Sequence, residues 1–273
     1  MAKRTVFYIS DQTGITSETL GHSLLSQFDQ IEFEHITLPF VDTPEKAHDA
    51  VHAINHTAEL DQARPIIFDT IISKEIRAII SKSNGFMLDI FSAFISSLEK
   101  ELHTDSARVA GRSHAITDDL SYKTRINAVH FALESDDGSK PRNFAEAEII
   151  LIGVSRCGKT PTCLYLALQF GIKAANYPIT EEDMEDFILP KSIQAYKEKL
   201  FGLTIEPERL AAIRNERRPN SRYAGFHQCQ KEIEAAEALF RKEKIPHINT
   251  SQRSIEEIAT KILAETGITR RLQ

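Results

Sequence analysis

Glu148-Ile149-Ile150-Leu151-Ile152-Gly153-Val154-Ser155-Arg156-Cys157-Gly158-Lys159-Thr160 runs directly into Pro161-Thr162-Cys163-Leu164-Tyr165-Leu166-Ala167. An apolar, β-branched run stops at a glycine, four residues intervene before Gly158-Lys159-Thr160, and a helical pattern follows. This is the phosphate-binding loop G-x-x-x-x-G-K-[ST] in the context it needs, strand before and helix after. Gly153 and Gly158 permit backbone angles that a side chain would forbid. The loop can then curl so that successive N–H groups, from Gly153 through Val154, Ser155, Arg156, Cys157 and Gly158 to Lys159 and Thr160, face phosphate oxygens. The positive end of the following helix adds to the attraction. Lys159 brings a point charge to the outer phosphates, and the Thr160 hydroxyl is placed to ligate Mg²⁺. The stretch predicts a nucleotide-phosphate site on the first strand of a parallel α/β layer.

Downstream the rhythm continues. Ile172–Ile179 and Leu200–Ile205 read as strands, Pro207 opens a helix, and Cys229–Lys242 is amphipathic. Ile245–Ser251 is a last strand, and Ser254 caps the closing helix. The C-terminal part has the layout of a small P-loop kinase. Between Arg214 and Tyr223 lie Arg214, Arg217, Arg218 and Arg222, broken by Pro219 and Asn220. Arginine forks chelate phosphate oxygens, so this reads as a lid over the phosphate site, against the plainer reading of a basic helix end. No later strand ends its apolar run in the usual metal-binding Asp. The nearest acids are Asp136 and Asp137, before the loop strand, as metal ligands, as a base, or as a solvated Asp-Gly turn.

Upstream, Thr5–Ile9, Glu34–Phe40, Pro65–Asp69 and Phe86–Ile90 read as four strands alternating with helices, the pattern of a second parallel α/β layer. The polar loop Ser10–Thr16 leads into a helix with Leu20, Leu24, Leu25 and Phe28 on one face, capped by Thr13 or Thr16. Its hydroxyl-rich turn is either a plain cap or a second anion site. Thr43-Pro44-Glu45 opens another helix. The expected organisation is α/β throughout: an N-terminal α/β domain over 1–105, a helical linker over 106–145, and a P-loop kinase-like domain over 146–273.

Composition sets the outer bounds. With 41% apolar and 26% charged residues the chain is globular. A net charge of −6 argues against a nucleic-acid or membrane surface. No apolar run reaches the roughly 20 residues needed to span a bilayer. The start enters a strand at once and does not read as a signal peptide. Cys157, Cys163 and Cys229 form neither a disulfide framework nor a metal set. Loop N–H groups can depress the Cys157 pKa, but an incidental small residue is the simpler reading. A reducing cytoplasm is the expected compartment.

Together Ser10-Asp11-Gln12-Thr13-Gly14-Ile15-Thr16, Asp136-Asp137-Gly138, the Gly153–Thr162 stretch and Ala174-Ala175-Asn176-Tyr177-Pro178 resemble the bacterial phosphoenolpyruvate synthase regulatory proteins. These are relatives of the pyruvate, phosphate dikinase regulatory proteins. The likeness runs nearly end to end, and Ile213–Tyr223 looks like the synthase branch. The resemblance implies a bifunctional enzyme. It would transfer a phosphoryl group from ADP to a threonine of phosphoenolpyruvate synthase and inactivate it. It would also remove that group with inorganic phosphate as acceptor, releasing pyrophosphate. It implies ADP in the Gly153–Thr160 loop and Mg²⁺ at Thr160. Lys159, Arg217 and Arg218 would stabilise the transferring charge, with Asp137 as hypothetical base for the threonine hydroxyl. Dikinase as target and a small-molecule kinase are the alternatives, and assembly as a homodimer stays open.

Overall fold

A computed structural model describes residues 2–107, 119–138, 140–185 and 188–271. Compactness divides the chain into two units, Met1–Ala115 and Ile116–Gln273. Each is a parallel four-stranded sheet with helices.

In the first unit β1 (Ala2–Ile9), α1 (Ile15–Leu25), β2 (Ile31–Leu38), α2 (Pro44–Asp61), β3 (Ile66–Asp69), α3 (Lys74–Ile80), β4 (Phe86–Asp89) and α4 (Ile90–Leu102) follow in order. The strands lie side by side as β2-β1-β3-β4. Successive residues of β1 feed opposite faces. Phe7 and Ile9 join Ile54, Ile67 and Ile80 beneath α2 and α3, while Val6 and Tyr8 join Leu25 and Phe68 on the α1 side. Pro44 at the first turn of α2 follows a Thr43 hydroxyl that accepts the Lys46 N–H at 3.4 Å. The expected cap of α1 is not used. Gly14 occupies that position in the left-handed region, where Ser17 donates its hydroxyl to the Gly14 carbonyl, so neither Thr13 nor Thr16 caps the helix. Nor does the expected apolar face hold, since α1 ends at Leu25 and leaves Leu24 and Phe28 exposed.

Asp69, at the end of β3, is fully buried. Its Oδ1 accepts the Ile71 N–H at 2.7 Å, and its Oδ2 lies 3.3 Å from Arg77 Nε but off the hydrogen-bonding line. Burial, opposed by the Ile71 bond and by Arg77, pushes this carboxyl up to about 7. A folded-state pKa above the unfolded value of about 3.9 means that the folded form binds more protons between those two values. The group's contribution to stability therefore falls as pH rises through that window. Asp69→Asn cannot ionise, so its melting temperature relative to the unsubstituted protein is expected to rise between about pH 4 and pH 7. A difference that stays constant with pH would reject this.

The second unit begins with α5 (Asp119–Glu134), a 3₁₀ turn at Asp136–Gly138 and another at Pro141–Ala145. There follow β5 (Ile149–Gly153), α6 (Lys159–Phe170), β6 (Ala174–Pro178), the short α7 (Glu181–Glu185) and α8 (Lys191–Gln194), and β7 (Leu200–Thr204). α9 (Pro207–Arg217), α10 (Phe226–Glu243), β8 (His247–Asn249) and α11 (Ile255–Thr266) complete it. The order is β6-β5-β7-β8. All residues of β5 and β7 are buried, which explains their unbroken apolar runs: a central parallel strand is covered on both faces. Each fully buried aliphatic side chain contributes about 1.5–3 kcal/mol.

Ala128, Phe131 and Ala132 of α5 belong to this unit's core, and α5 packs on α6. Its helix is thus a layer of the second unit, not part of a linker over 106–145, and residues 108–118 of that stretch lie outside the described residues. The capping box of α11 forms as read, with Ser254 and Glu257 exchanging side-chain-to-backbone bonds.

Candidate functional site

In the second unit the chain order reverses at β5, whose neighbours are β6 on one side and β7 on the other. Ligands of open α/β sheets bind beyond the strand ends at such a reversal. The loop from Gly153 to Gly158 leaves β5 there and enters α6.

The carbonyls of this loop are taken by protein donors. Ile179 N–H donates to Gly153 O at 3.0 Å. Lys159 Nζ donates to Val154 O at 2.9 Å, Arg214 to Ser155 O at 3.1 Å, and Thr250 Oγ1 to Cys157 O at 3.1 Å. In a trans peptide the next N–H points opposite to the carbonyl. Fixing the Ser155 and Cys157 carbonyls therefore turns the N–H groups of Arg156 and Gly158 the other way. Arg156 adopts φ 78° and Gly158 φ 95°, left-handed angles of the kind that build a concave row of amides.

An open cleft of about 250 Å³ lies against the loop, lined among others by Asp137, Arg156, Lys159, Thr160, Asn176 and Arg217. Val154 and Cys157 are buried behind the loop. Lys159 is itself only 5% exposed, with its ammonium resting on the Val154 carbonyl. Burial pushes the Cys157 thiol up, against the pull of Lys159 and of the loop amides.

The acidic pair divides its labour. Asp136 Oδ1 accepts the Thr160 hydroxyl at 2.9 Å and the Asn176 side-chain N–H. Asn176 Nδ2 also reaches Thr160 Oγ1 at 3.0 Å. Asp137 stands exposed at φ 50°, on the rim of the cleft. Asn176 has no role in the reading of the residues, yet its signal was present: an Asn in the middle of a strand, where this residue type is depleted. It is 1% exposed, and its Oδ1 is buried without a partner.

A carboxylate and a threonine hydroxyl, bridged by the Asn176 amide N–H, offer oxygen donors that suit a hard cation. Mg²⁺ takes oxygen donors, needs few protein ligands and keeps phosphates and water for the rest. The residues present therefore fit Mg²⁺ at Thr160 and Asp136, with Asn176 holding the two in place. Among the described residues no cluster of three His, Cys, Asp or Glu side chains offers an alternative metal site.

The arginines part company. Arg217, in the last turn of α9, lines the cleft. Arg218 is exposed at the helix end and is not among the groups lining the cleft. Arg214 is fully buried and cannot belong to a lid. In the first unit, the Ser10–Thr16 turn presents the nearly buried Asp11, whose Oδ2 accepts the Ile72 N–H at 3.0 Å. Asp11 acts on Asp69 as a like charge.

The profile of the kinase/pyrophosphorylase family matches residues 6–263. A protein of Pseudomonas aeruginosa named "Putative phosphoenolpyruvate synthase regulatory protein" is 59% identical over 271 residues, 99% of each chain. Proteins of the same name are 58% identical over 268 residues in Marinobacter nauticus (98% of this chain, 99% of that one) and 56% identical over 271 residues in Hahella chejuensis (99% and 100%). Matched along nearly its whole length, the chain belongs to the kinase/pyrophosphorylase family of phosphoenolpyruvate synthase regulatory proteins.

Proposed function

We propose that this protein uses the cleft at the β5–α6 loop to phosphorylate a threonine of phosphoenolpyruvate synthase from ADP, switching the synthase off. We assign it also the return reaction, in which inorganic phosphate takes the phosphoryl group and leaves as pyrophosphate. The observation that carries the reading is the Thr160–Asp136–Asn176 constellation at the mouth of a phosphate loop. The relatives' names supply the target.

In the forward direction the threonine oxygen bonds to the β-phosphorus of ADP, the bridging P–O bond breaks, and AMP leaves with that electron pair. In the return direction an oxygen of inorganic phosphate attacks the phosphothreonine phosphorus and the threonine oxygen departs, taking up a proton. Loop amides hold the diphosphate, and Lys159 and Arg217 stabilise the charge that gathers on the transferring group. Asp137, on the exposed rim, accepts the threonine proton. Mg²⁺, when bound, neutralises phosphate charge next to Thr160.

ADP labelled in its β-phosphate is the direct probe. Label on a synthase threonine, with stoichiometric AMP, is expected. Unlabelled synthase that is nonetheless inhibited would reveal a binding protein, and transfer to a small metabolite without synthase would reveal a metabolite kinase. Asp136→Ala is expected to raise the Mg²⁺ concentration needed for half-maximal transfer by about tenfold or more. An unchanged Mg²⁺ titration would remove Asp136 from the metal site. Asp137→Asn transferring at the normal rate would remove Asp137 as base.

A further inference from the structure

Among the described residues Arg214 is the largest fully buried side chain. A buried guanidinium is costly unless its donors and its charge are matched. Glu232 on α10 matches the charge, with Oε2 2.6 Å from Nη2. The remaining donors go to two backbone carbonyls and, from Nη1, to Cys229 Sγ at 3.8 Å. Nε and Nη2 fork onto Ser155 O at 3.3 and 3.1 Å, and Nη1 reaches Tyr223 O at 3.1 Å. The Tyr223 ring stacks on the guanidinium, 4.1 Å from Cζ to the ring centre. The same tyrosine's hydroxyl meets Ser155 Oγ at 2.9 Å. Ser155 is thus gripped at its carbonyl and at its hydroxyl by one Arg–Tyr pair.

Ser155 is the residue before the left-handed Arg156. An L-residue adopts that conformation at a cost, and it persists only where the surroundings impose it. We infer that Arg214, backed by Tyr223, is the positioning residue of the phosphate site: by holding the Ser155 carbonyl away from the cleft it aims the Arg156 N–H into it. The fork matters because a lysine would offer one point donor where two converge on a single carbonyl. The grip also fixes the loop against α9, which carries Arg217 to the cleft one turn later. Arg214 touches no phosphate in this arrangement. It acts through the backbone of residues 155 and 156, and so belongs to affinity for the diphosphate rather than to the chemical step. The inference rests on the nucleotide reading above.

The test is calorimetric binding of ADP and of pyrophosphate to the full chain, with KM and kcat for transfer to the synthase. Arg214→Lys is expected to weaken both ligands about ten- to hundredfold, and Tyr223→Phe about three- to tenfold. KM for ADP should rise in step while kcat at saturation holds within about twofold. A purely structural role would instead shrink the folded fraction, lowering kcat at constant KM, and that result would overturn the inference. Wild-type affinity in both variants would overturn it as well. Should Arg214→Lys fail to fold, Tyr223→Phe, which keeps the stacked ring, decides alone. If the unsubstituted protein binds pyrophosphate but not ADP, the proposed donor is wrong, while the pyrophosphate ratios still judge Arg214.

Discussion

Lys159→Met is expected to abolish threonine phosphorylation and phosphate-dependent dephosphorylation together, each by about a thousandfold or more. The methionine keeps the buried stem and removes only the charge, so the loop retains its packing. Without ligand the ammonium rests on the Val154 carbonyl, 2.9 Å away, in a position that is 5% exposed. A carbonyl is a weak partner for a buried cation, and phosphate is a strong one. Binding of a diphosphate therefore exchanges a poor contact for a good one, and the gain grows as charge accumulates on the oxygens of the breaking bond. Losing one preorganised neutral donor to such an oxygen already costs about a hundred- to a thousandfold in rate. A full charge in a site this sheltered from water should cost no less. Both directions share the same transferring group, so one substitution should silence both. Retained dephosphorylation in a protein that no longer phosphorylates would place the return reaction elsewhere. The Ser10–Thr16 turn, a hydroxyl-rich turn between β1 and α1, would then be the candidate second site.

The β5–α6 turn was legible because its pattern has few substitutes: glycine at two positions, a lysine, a hydroxyl, and an apolar strand before them. The strands of both units were legible for a similar reason, since Val6–Ile9, Ile66–Phe68 and Ile149–Ile152 have no polar residue to place in water. Other features depended on partners far away in the chain. Arg214 sits among arginines that look like a surface cluster, and only Glu232, from a different helix, makes its burial tolerable. Asp136 and Asp137 are chemically identical in sequence. The left-handed turn at Asp137 sends one inward to Thr160 and leaves the other on the rim. The helix α5 reads as part of a linker because the stretch around it is helical and polar and ends in the turn Glu134–Ser139. Ala128 and Ala132 bury little area each, yet they allow α5 to lie close along α6. Arg217 and Arg218 are neighbours in sequence, but α9 ends between them: Arg217 is its last residue and lines the cleft, while Arg218 leaves the helix at φ −138°, ψ 81° and does not.

Gly153→Ala is expected to be the most damaging single-methyl change in the second unit. Gly153 closes β5 at φ 155°, which L-residues rarely adopt. A Cβ there would lie 2.3 Å from the Leu203 carbonyl oxygen and 2.9 Å from Cys157 Sγ. The sulfur can rotate, but the carbonyl belongs to β7, the central neighbour of β5, and cannot retreat without disturbing the sheet. Backbone strain of about 1–3 kcal/mol and a steric term of similar size add to about 2–6 kcal/mol. For a unit of this size that corresponds to a melting temperature lower by about 5–20 °C. Gly158 provides the contrast. It too is left-handed, at φ 95°, but a Cβ built there meets nothing within 4 Å, so Gly158→Ala bears the backbone cost alone and should melt closer to the unsubstituted protein. Calorimetry of the two variants side by side tests the ordering. Equal melting would mean that the approach of Leu203 to Gly153 is not the constraint. Recovery of Gly153→Ala by a second change, Cys157→Ala, would shift the obstacle from the β7 carbonyl to the sulfur. The geometry predicts no recovery, because the closer atom is the carbonyl, and that atom is what forces glycine at the start of the phosphate loop.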